Sequence, residues 1–307
     1  MITKEKLKQK LLEIKNLKVE LDQPLSEYTT FKVGGPTDIL VVPTTISSLQ
    51  EAVPLITDSE WPVFILGAGS NIIVSDEGFN GIVIWMKELN DIQIDGNKLI
   101  AHTGVKLKKI ARQALKAELS GLEFASGIPG SLGGAIYMNA GAYGGEIKDV
   151  ISSVTCLNYQ GETINLTKEE LNLGYRQSII QEKKLIAIKS EFKLQSGNYE
   201  TIKNKIKELE TKRWNKQPMD MPSAGSIFKR PENHYAGALI DEAGLKGTRI
   251  GDAQVSTKHA GFIVNLGSAT AQDIKKLVEH IQQEVYNYSG IKLETEPKFI
   301  GDFPSNE

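Results

Sequence analysis

Seven glycines fall between Gly127 and Gly145, interspersed with Ile128, Leu132, Ile136 and Met138. Such a stretch is too apolar to be a flexible linker. Its small residues let the backbone pass close to other groups, and its buried N–H groups then need partners. A bound phosphate-bearing cofactor meets that need; so does a tightly packed loop without a ligand. Composition alone leaves both open, and the cofactor reading is preferred.

A second glycine segment, Gly67-Ala68-Gly69-Ser70-Asn71, follows the apolar run Val63–Leu66. A dinucleotide-binding fingerprint requires a third glycine at position 72 and a helix starting there. The chain has Ile72-Ile73-Val74, which reads as strand, so that fold is excluded. No Gly-Lys-Ser/Thr triplet supports a P-loop either. What remains is a strand–turn–strand whose turn amides can hold a pyrophosphate, or a hairpin with the same residues for steric reasons.

At 307 residues the chain exceeds one ordinary core, and 40% hydrophobic residues suffice to bury several. Lys and Arg number 36 against 38 Asp and Glu, so no global field favours nucleic acid or an anionic membrane. The alternating charges of Tyr199–Trp214 read as a solvated helix face with Ile202, Ile206 and Leu209 inward. A single cysteine, Cys156, excludes an intrachain disulfide, and Val154-Thr155-Cys156-Leu157 reads as a buried strand. The four histidines lack metal-ligand spacing, so no metal is expected. Met1–Lys18 reads as an amphipathic helix and not as a signal sequence. No apolar run approaches the ~20 residues that span a bilayer, and a cytoplasmic protein is expected.

Local patterns divide the chain into 1–90, 91–198 and 199–307. In the first, a helix over Ser47–Thr57 precedes a buried strand at Val63–Leu66 and another at Ile82–Trp85. In the second, Ile92–Thr103 forms a hairpin turning at Asp95-Gly96-Asn97, and a helix from Leu107 stops at Gly121. Strands at Val150–Tyr159, Glu162–Leu166 and Leu185–Leu194 follow. In the third, helices Ala236–Ala243 and Ala271–Tyr288 alternate with strands Gly261–Asn265 and Ile291–Ile300, with Thr270 and Asp273 spaced as a capping box. The fold class is α+β.

Several segments at compatible spacing resemble the UDP-N-acetylenolpyruvoylglucosamine reductase (MurB) family over nearly the whole chain. They are Thr30-Phe31-Lys32-Val33-Gly34-Gly35, Leu66–Asn71, Gly127–Gly134, Gly174-Tyr175-Arg176-Gln177-Ser178, Pro222–Pro231, Ser256–Phe262 and Leu293–Lys298. The resemblance implies an FAD-binding fold of the PCMH, vanillyl-alcohol-oxidase type in two subdomains, plus a C-terminal α+β substrate-binding domain. It implies tightly bound, non-covalent FAD, with NADPH as co-substrate. The reaction would be reduction of UDP-N-acetyl-3-O-(1-carboxyvinyl)-glucosamine to UDP-N-acetylmuramate, a peptidoglycan precursor.

The family pattern places Arg176, Ser226 and Glu296 as catalytic residues. A guanidinium suits a substrate carboxylate that gathers negative charge. A serine hydroxyl can protonate a carbanion-like carbon, and a protonated Glu296 can donate a hydrogen bond to developing charge. Cofactor contacts are expected at Gly67, Gly69, Ser70, Asn71, Gly127, Ile128, Pro129, Gly130, Ser131, Gly133, Gly134, Ala135, Asn139, Gly141 and Ala142. Substrate contacts are expected at Tyr175, Arg213, Lys229, Arg230 and His259. The partners would be the substrate and NADPH, with no nucleic acid or membrane, and the chain a monomer.

Only Leu185–Leu194 and one helix separate Arg176 from Ser226, leaving little room for the tyrosine-bearing insertion of longer members. The chain resembles the shorter class, and UDP contacts of the longer class do not carry over. An oxygen-using flavoenzyme of the same fold and a non-catalytic nucleotide-sugar binder are the alternatives. Fast aerobic reoxidation without a UDP-sugar response would mark the first, and absence of flavin absorbance the second.

Overall fold

Leu7 and Leu11 lie one helical turn apart among lysines, and helix α1 (Lys4–Leu12) buries both. The helix is shorter than the Met1–Lys18 expected from its pattern. Asn16 takes a left-handed φ of +63°, and Leu17-Lys18-Val19-Glu20 alternates buried and exposed as the start of β1 (Leu17–Pro24). The computed structural model describes residues 2–304, so Met1 lies outside the described residues. The chain clusters into two compact units. The first comprises Met1–Leu21, Asp38–Ala68 and Gly81–Lys212; the second comprises Asp22–Thr37, Gly69–Asn80 and Arg213–Glu307.

The first unit contains two hydrophobic cores. One lies on a four-stranded sheet of order β1-β2-β5-β3, with β2 at Pro36–Pro43, β3 at Val63–Leu66 and β5 at Phe79–Trp85. β3 and β5 pair in parallel from Val63↔Ile82 to Leu66↔Trp85. Helix α2 (Ile46–Thr57) starts in a Thr45–Ser48 capping box and packs Leu49, Val53 and Ile56 into this core. Fully burying each such side chain contributes about 1.5–3 kcal/mol. Of β3 only Leu66 is fully buried, so the strand is less enclosed than its composition suggests.

The other core of this unit lies on a five-stranded antiparallel sheet of order β12-β11-β13-β7-β6. Here β6 is Ile92–Asp95, β7 Lys98–His102, β11 Ile151–Leu157, β12 Thr163–Thr167 and β13 Ile186–Lys193. β6 and β7 close across Gly96-Asn97, where Gly96 has φ +55°. Helix α3 (Leu107–Lys116) turns Leu107, Ile110, Ala111 and Ala114 inward. It does not run to Gly121, because Glu118 already takes φ +55° and ends it. Gly121 serves instead beside β8 (Leu119–Ser120), where an added Cβ would lie 3.1 Å from Val150. Helix α7 (Tyr199–Lys216) buries Ile202, Ile206 and Leu209 as its spacing predicts.

In the second unit β4 (Ile72–Val74) pairs in parallel with β18 (Lys298–Ile300). A three-stranded sheet joins β15 (Arg249–Ile250), β16 (Ala253–Val255) and β17 (Ile263–Asn265). Helices α8 (Ala236–Glu242) and α9 (Ala271–Ser289) supply Ile240, Ile274, Leu277 and Ile281 to its core. The Thr270–Asp273 capping box forms, and Asp76 accepts from Ala271 N at 2.8 Å and Gln272 N at 2.9 Å. Ile291–Ile300 is not one strand. Before β18 it makes single contacts, Thr295 with Phe228 and Glu296 N with Ile227 O, and the buried Pro297 has no N–H to extend a ladder.

Candidate active site

The two glycine segments, distant in sequence, meet in the first unit. β3 delivers Gly67 against Ser131, so close that a Cβ on Gly67 would lie 2.3 Å from Ser131 Oγ. Trp85 Nε1 fixes the turn by donating to Gly67 O at 3.0 Å. The Ser131 loop is held from below: Leu132 N donates to Val105 O and Gly133 N to Thr103 O, each at 2.8 Å. A short helix α4 (Leu132–Tyr137) then sends Leu132, Ala135 and Ile136 into the core. Gly133 sits where a Cβ would come within 3.0 Å of Thr103 Cβ. Gly130 takes φ +137°, a conformation available to glycine. Part of the loop's N–H demand is thus met by protein carbonyls, whereas the composition pointed only to a ligand or to general packing.

Beyond α4, Asn139 is completely buried, with φ +41°. Its side chain donates to Glu146 Oε2 at 2.6 Å and Gly174 O at 3.0 Å, and accepts from Lys148 N at 3.0 Å. Gly141 and Ala142 form β9, paired with β10 (Gly145–Glu146), and a Cβ on Gly141 would meet Glu146 Cβ at 2.7 Å. Gly127, Ile128 and Pro129 lead into this loop, with Ile128 packed on the core.

Arg176 occupies the tip of a tight turn closed by two backbone bonds between Gly174 and Gln177, of 3.1 and 3.3 Å. Its φ is +57°, the left-handed region that side-chain-bearing residues rarely adopt. Its guanidinium lies 5.0 Å from the ring centroid of Tyr175, which is 56% exposed. Such strain clusters at functional sites and persists only where the surroundings enforce it.

In the second unit the sequence brings Ser226 and Glu296 onto neighbouring segments. Glu296 N donates to Ile227 O at 2.8 Å, and Ser226 bridges Phe262. Gly225, at φ +77°, sets the bend before Ser226. Among the described residues Ser226 Oγ makes no side-chain hydrogen bond, and the residue is half-buried, so its proton is not committed elsewhere. Asn71 Nδ2 donates to Glu296 O at 3.4 Å, and Lys298 N to Asn71 O at 3.1 Å. Gly69, at φ +62°, accepts from Thr30 N at 3.0 Å, and Thr30 Oγ1 reaches Ser223 O at 2.7 Å. The strand–turn–strand expected here forms, and the hairpin alternative does not: β3 pairs with β5, while β4 pairs with β18.

The chain matches the model of the UDP-N-acetylenolpyruvoylglucosamine reductase C-terminal domain over residues 217–300 and an FAD binding domain over residues 37–167. It is 48% identical to the UDP-N-acetylenolpyruvoylglucosamine reductase of Clostridium botulinum (strain Hall), over 94% of each chain. That settles the family. The chain belongs to the UDP-N-acetylenolpyruvoylglucosamine reductases. The protein of that name from Alkaliphilus oremlandii is 49% identical, over 92% of this chain and 94% of its own. The crystal structure of the reductase from Thermus caldophilus superposes with TM-score 0.82 at 37% identity, covering 93% of this chain and all of that one. A variant of Physcomitrella patens BBE-like 1, 17% identical, shares the fold at TM-score 0.50 over 62% of this chain and 44% of its own. The fold is the FAD-binding PCMH type followed by the reductase C-terminal domain.

FAD is the cofactor of this reductase family, and the cradle fits it. Ser126 Oγ and Ser131 Oγ are buried without a protein hydrogen-bond partner, a costly state that a ligand oxygen relieves. Gly67 leaves the space beside Ser131 free of side chain. The expected substrate residues are more dispersed. Lys229 Nζ pairs with Glu294 at 3.2 Å, and the Arg230 guanidinium lies 4.2 Å from the Tyr235 ring centroid. Arg213 lies in the last turn of α7 and belongs to the second unit, and Tyr175 belongs to the first. His259 packs edge-on to Phe262 and accepts from Gly261 N at Nδ1, 3.1 Å; burial pushes its pKa down, so it is neutral near pH 7. Among the described residues no group of three or more His, Cys, Asp or Glu could hold a metal ion. Sequence reasoning passed over Thr103, Ser178 and Gln181, whose polar atoms brace the loop and the arginine turn. Nothing in their spacing marks them, because the carbonyls they reach at Ala187 and Tyr137 lie 41 to 84 residues away; Gln181 also bonds the nearby Arg176 O.

Proposed function

We propose that Arg176, Ser226 and Glu296 are the residues with which this reductase converts the enolpyruvyl ether of UDP-N-acetylglucosamine to UDP-N-acetylmuramate, with NADPH as reductant. When bound, FAD supplies a carrier that takes hydride from NADPH and delivers it to the terminal carbon of the enolpyruvyl group. The Arg176 guanidinium binds the substrate carboxylate through two donors and offsets the negative charge that grows there. Ser226 Oγ gives its proton to the adjacent carbon, which completes the saturated lactyl ether. Glu296 can donate a hydrogen bond to the same developing charge if its carboxyl carries the proton. Gly67, Gly69, Ser70, Asn71, Gly127–Ser131, Gly133–Ala135, Gly141 and Ala142 line the cofactor. Tyr175, Arg213, Lys229, Arg230 and His259 serve the nucleotide-sugar.

The observation that carries this reading is the uncommitted Ser226 hydroxyl, held at a glycine bend beside the Glu296 segment. Replacing Ser226 by Ala should leave reduction of the flavin by NADPH near wild type. Flavin oxidation by substrate should slow by at least ~10²-fold. Equal losses in both half-reactions, measured anaerobically by stopped flow, would remove the proton-donor role.

We further propose that 1–90 and 91–198 hold the flavin and 199–307 the substrate, and that the enzyme works as a monomer in the cytoplasm, away from membrane and nucleic acid. The near-balance of charge supports this, as does the absence of any described helix long and apolar enough to cross a membrane.

A further inference from the structure

Arg176 holds a left-handed backbone conformation that a non-glycine residue keeps only under constraint. The constraint is visible in three side chains. Asn139 Nδ2 donates to Gly174 O at 3.0 Å, just before the turn. Gln181 Nε2 donates to Arg176 O at 3.1 Å and to Tyr137 O at 2.5 Å, and Ser178 Oγ donates to Tyr137 O at 2.8 Å. The arginine turn is therefore tied on both sides to Tyr137–Asn139, the segment that follows the glycine cradle.

Asn139 is the central strut. It is fully buried, and each of its three side-chain hydrogen bonds goes to protein: Glu146 Oε2, Gly174 O and Lys148 N. The family pattern places Asn139 among the cofactor contacts, yet both amide hydrogens go to protein, so its carboxamide has no donor left for a cofactor. Glu146 is itself held, with Oε1 2.6 Å from Lys148 Nζ, so the anchor behind Asn139 is fixed. Its own φ of +41° indicates that the loop is bent to bring this carboxamide onto Gly174.

We propose that Asn139 is a positioning residue for Arg176: its carboxamide fixes the Gly174–Gln177 turn to the cofactor loop and so aims the guanidinium. This rests on the reading of Arg176 as the carboxylate-binding residue. A misplacement of about 1 Å at a reacting group costs up to ~10²-fold, so loss of the strut should act on the substrate step.

The test compares Asn139→Ala, Gln181→Met and Arg176→Ala, singly, with Asn139→Ala also combined with Arg176→Ala. FAD affinity and the two half-reactions are measured for each. Asn139→Ala and Gln181→Met should slow flavin oxidation by substrate ~10- to 10²-fold, with FAD affinity within about twofold of wild type. Added to Arg176→Ala, Asn139→Ala should cost less than about twofold more, because its effect passes through the arginine. In FAD-free protein, amide exchange at Gly174 and Gln177 should quicken ~10-fold in Asn139→Ala. Loss of FAD affinity in parallel with the rate, or multiplicative effects in the double variant, would overturn the inference. So would wild-type rates for the Asn139 and Gln181 variants beside a slow Arg176→Ala. A wild-type rate for Arg176→Ala would instead remove the arginine reading, and this inference with it. If Asn139→Ala does not fold, Gln181→Met decides the question alone by the same half-reaction and affinity measurements.

Discussion

At the scale of single residues, burial sets the chemistry of two groups, only one of which the sequence announced. Cys156, on β11, lies wholly within the core, and burial pushes its thiol pKa up to about 12. At pH 8 the folded protein should react with iodoacetamide roughly 10³-fold more slowly than a free cysteine. A fast reaction without denaturant would show that the strand opens. His259 is shifted the other way, below its ordinary value of 6.5, first by desolvation and then by the charges of Lys246 and Lys216. The unfolded chain therefore binds the proton more readily, so His259 supports stability fully above pH 6.5 and withdraws that support as pH falls through its folded value. His102 is shifted in the same direction by burial. Urea midpoints should drop between pH 7.5 and 5.5, and His259→Gln should flatten that drop. An unchanged slope would assign it to other groups. Cys156 was legible in the sequence because a lone apolar-flanked thiol has few options. The histidine was not, since its neutrality depends on burial and on the charges of Lys246 and Lys216, which no local pattern records.

At the scale of elements, the sequence was readable wherever periodicity and caps agreed. The Thr270–Asp273 box, the inward stripe of α7 and the Gly96 hairpin all formed as their spacing predicts. Thr270→Ala should lower stability by about 1 kcal/mol in urea denaturation. α1 stops at Leu12 and α3 at Lys116, and just beyond them Asn16 and Glu118 take left-handed backbone; asparagine tolerates that region by itself, whereas for Glu118 the tertiary surroundings overrule propensity. The meeting of Gly67 with Ser131 was equally illegible, since no local pattern records contact between two loops. It carries its own prediction. Gly67→Ala forces a Cβ toward Ser131 Oγ, and should weaken FAD by at least about tenfold, or about 1.4 kcal/mol, in a fluorescence titration of the apoprotein. Wild-type affinity would place the flavin elsewhere.

At the scale of the whole molecule, composition bounded the answer without choosing it, and the order of motifs along the chain did the choosing. Arg176 sits in one compact unit and Ser226 and Glu296 in the other, although the family resemblance names the three together as catalytic. If FAD binds only the folded protein, then at a hundredfold excess over its Kd it should add about 2.7 kcal/mol of stability. Differential scanning of apo and loaded protein checks this, and coincident midpoints would contradict it. The pairing of β4 with β18 matters in a further way, for its partners lie at opposite ends of translation. Asn71 and the Glu296 carbonyl it bonds are 225 residues apart. At about 5–20 residues per second, β4 waits roughly 10 to 45 s after emerging before its partner has been made. During that interval Ile72-Ile73-Val74 lacks the strand that covers it in the folded chain, and is open to pairing with a neighbouring chain.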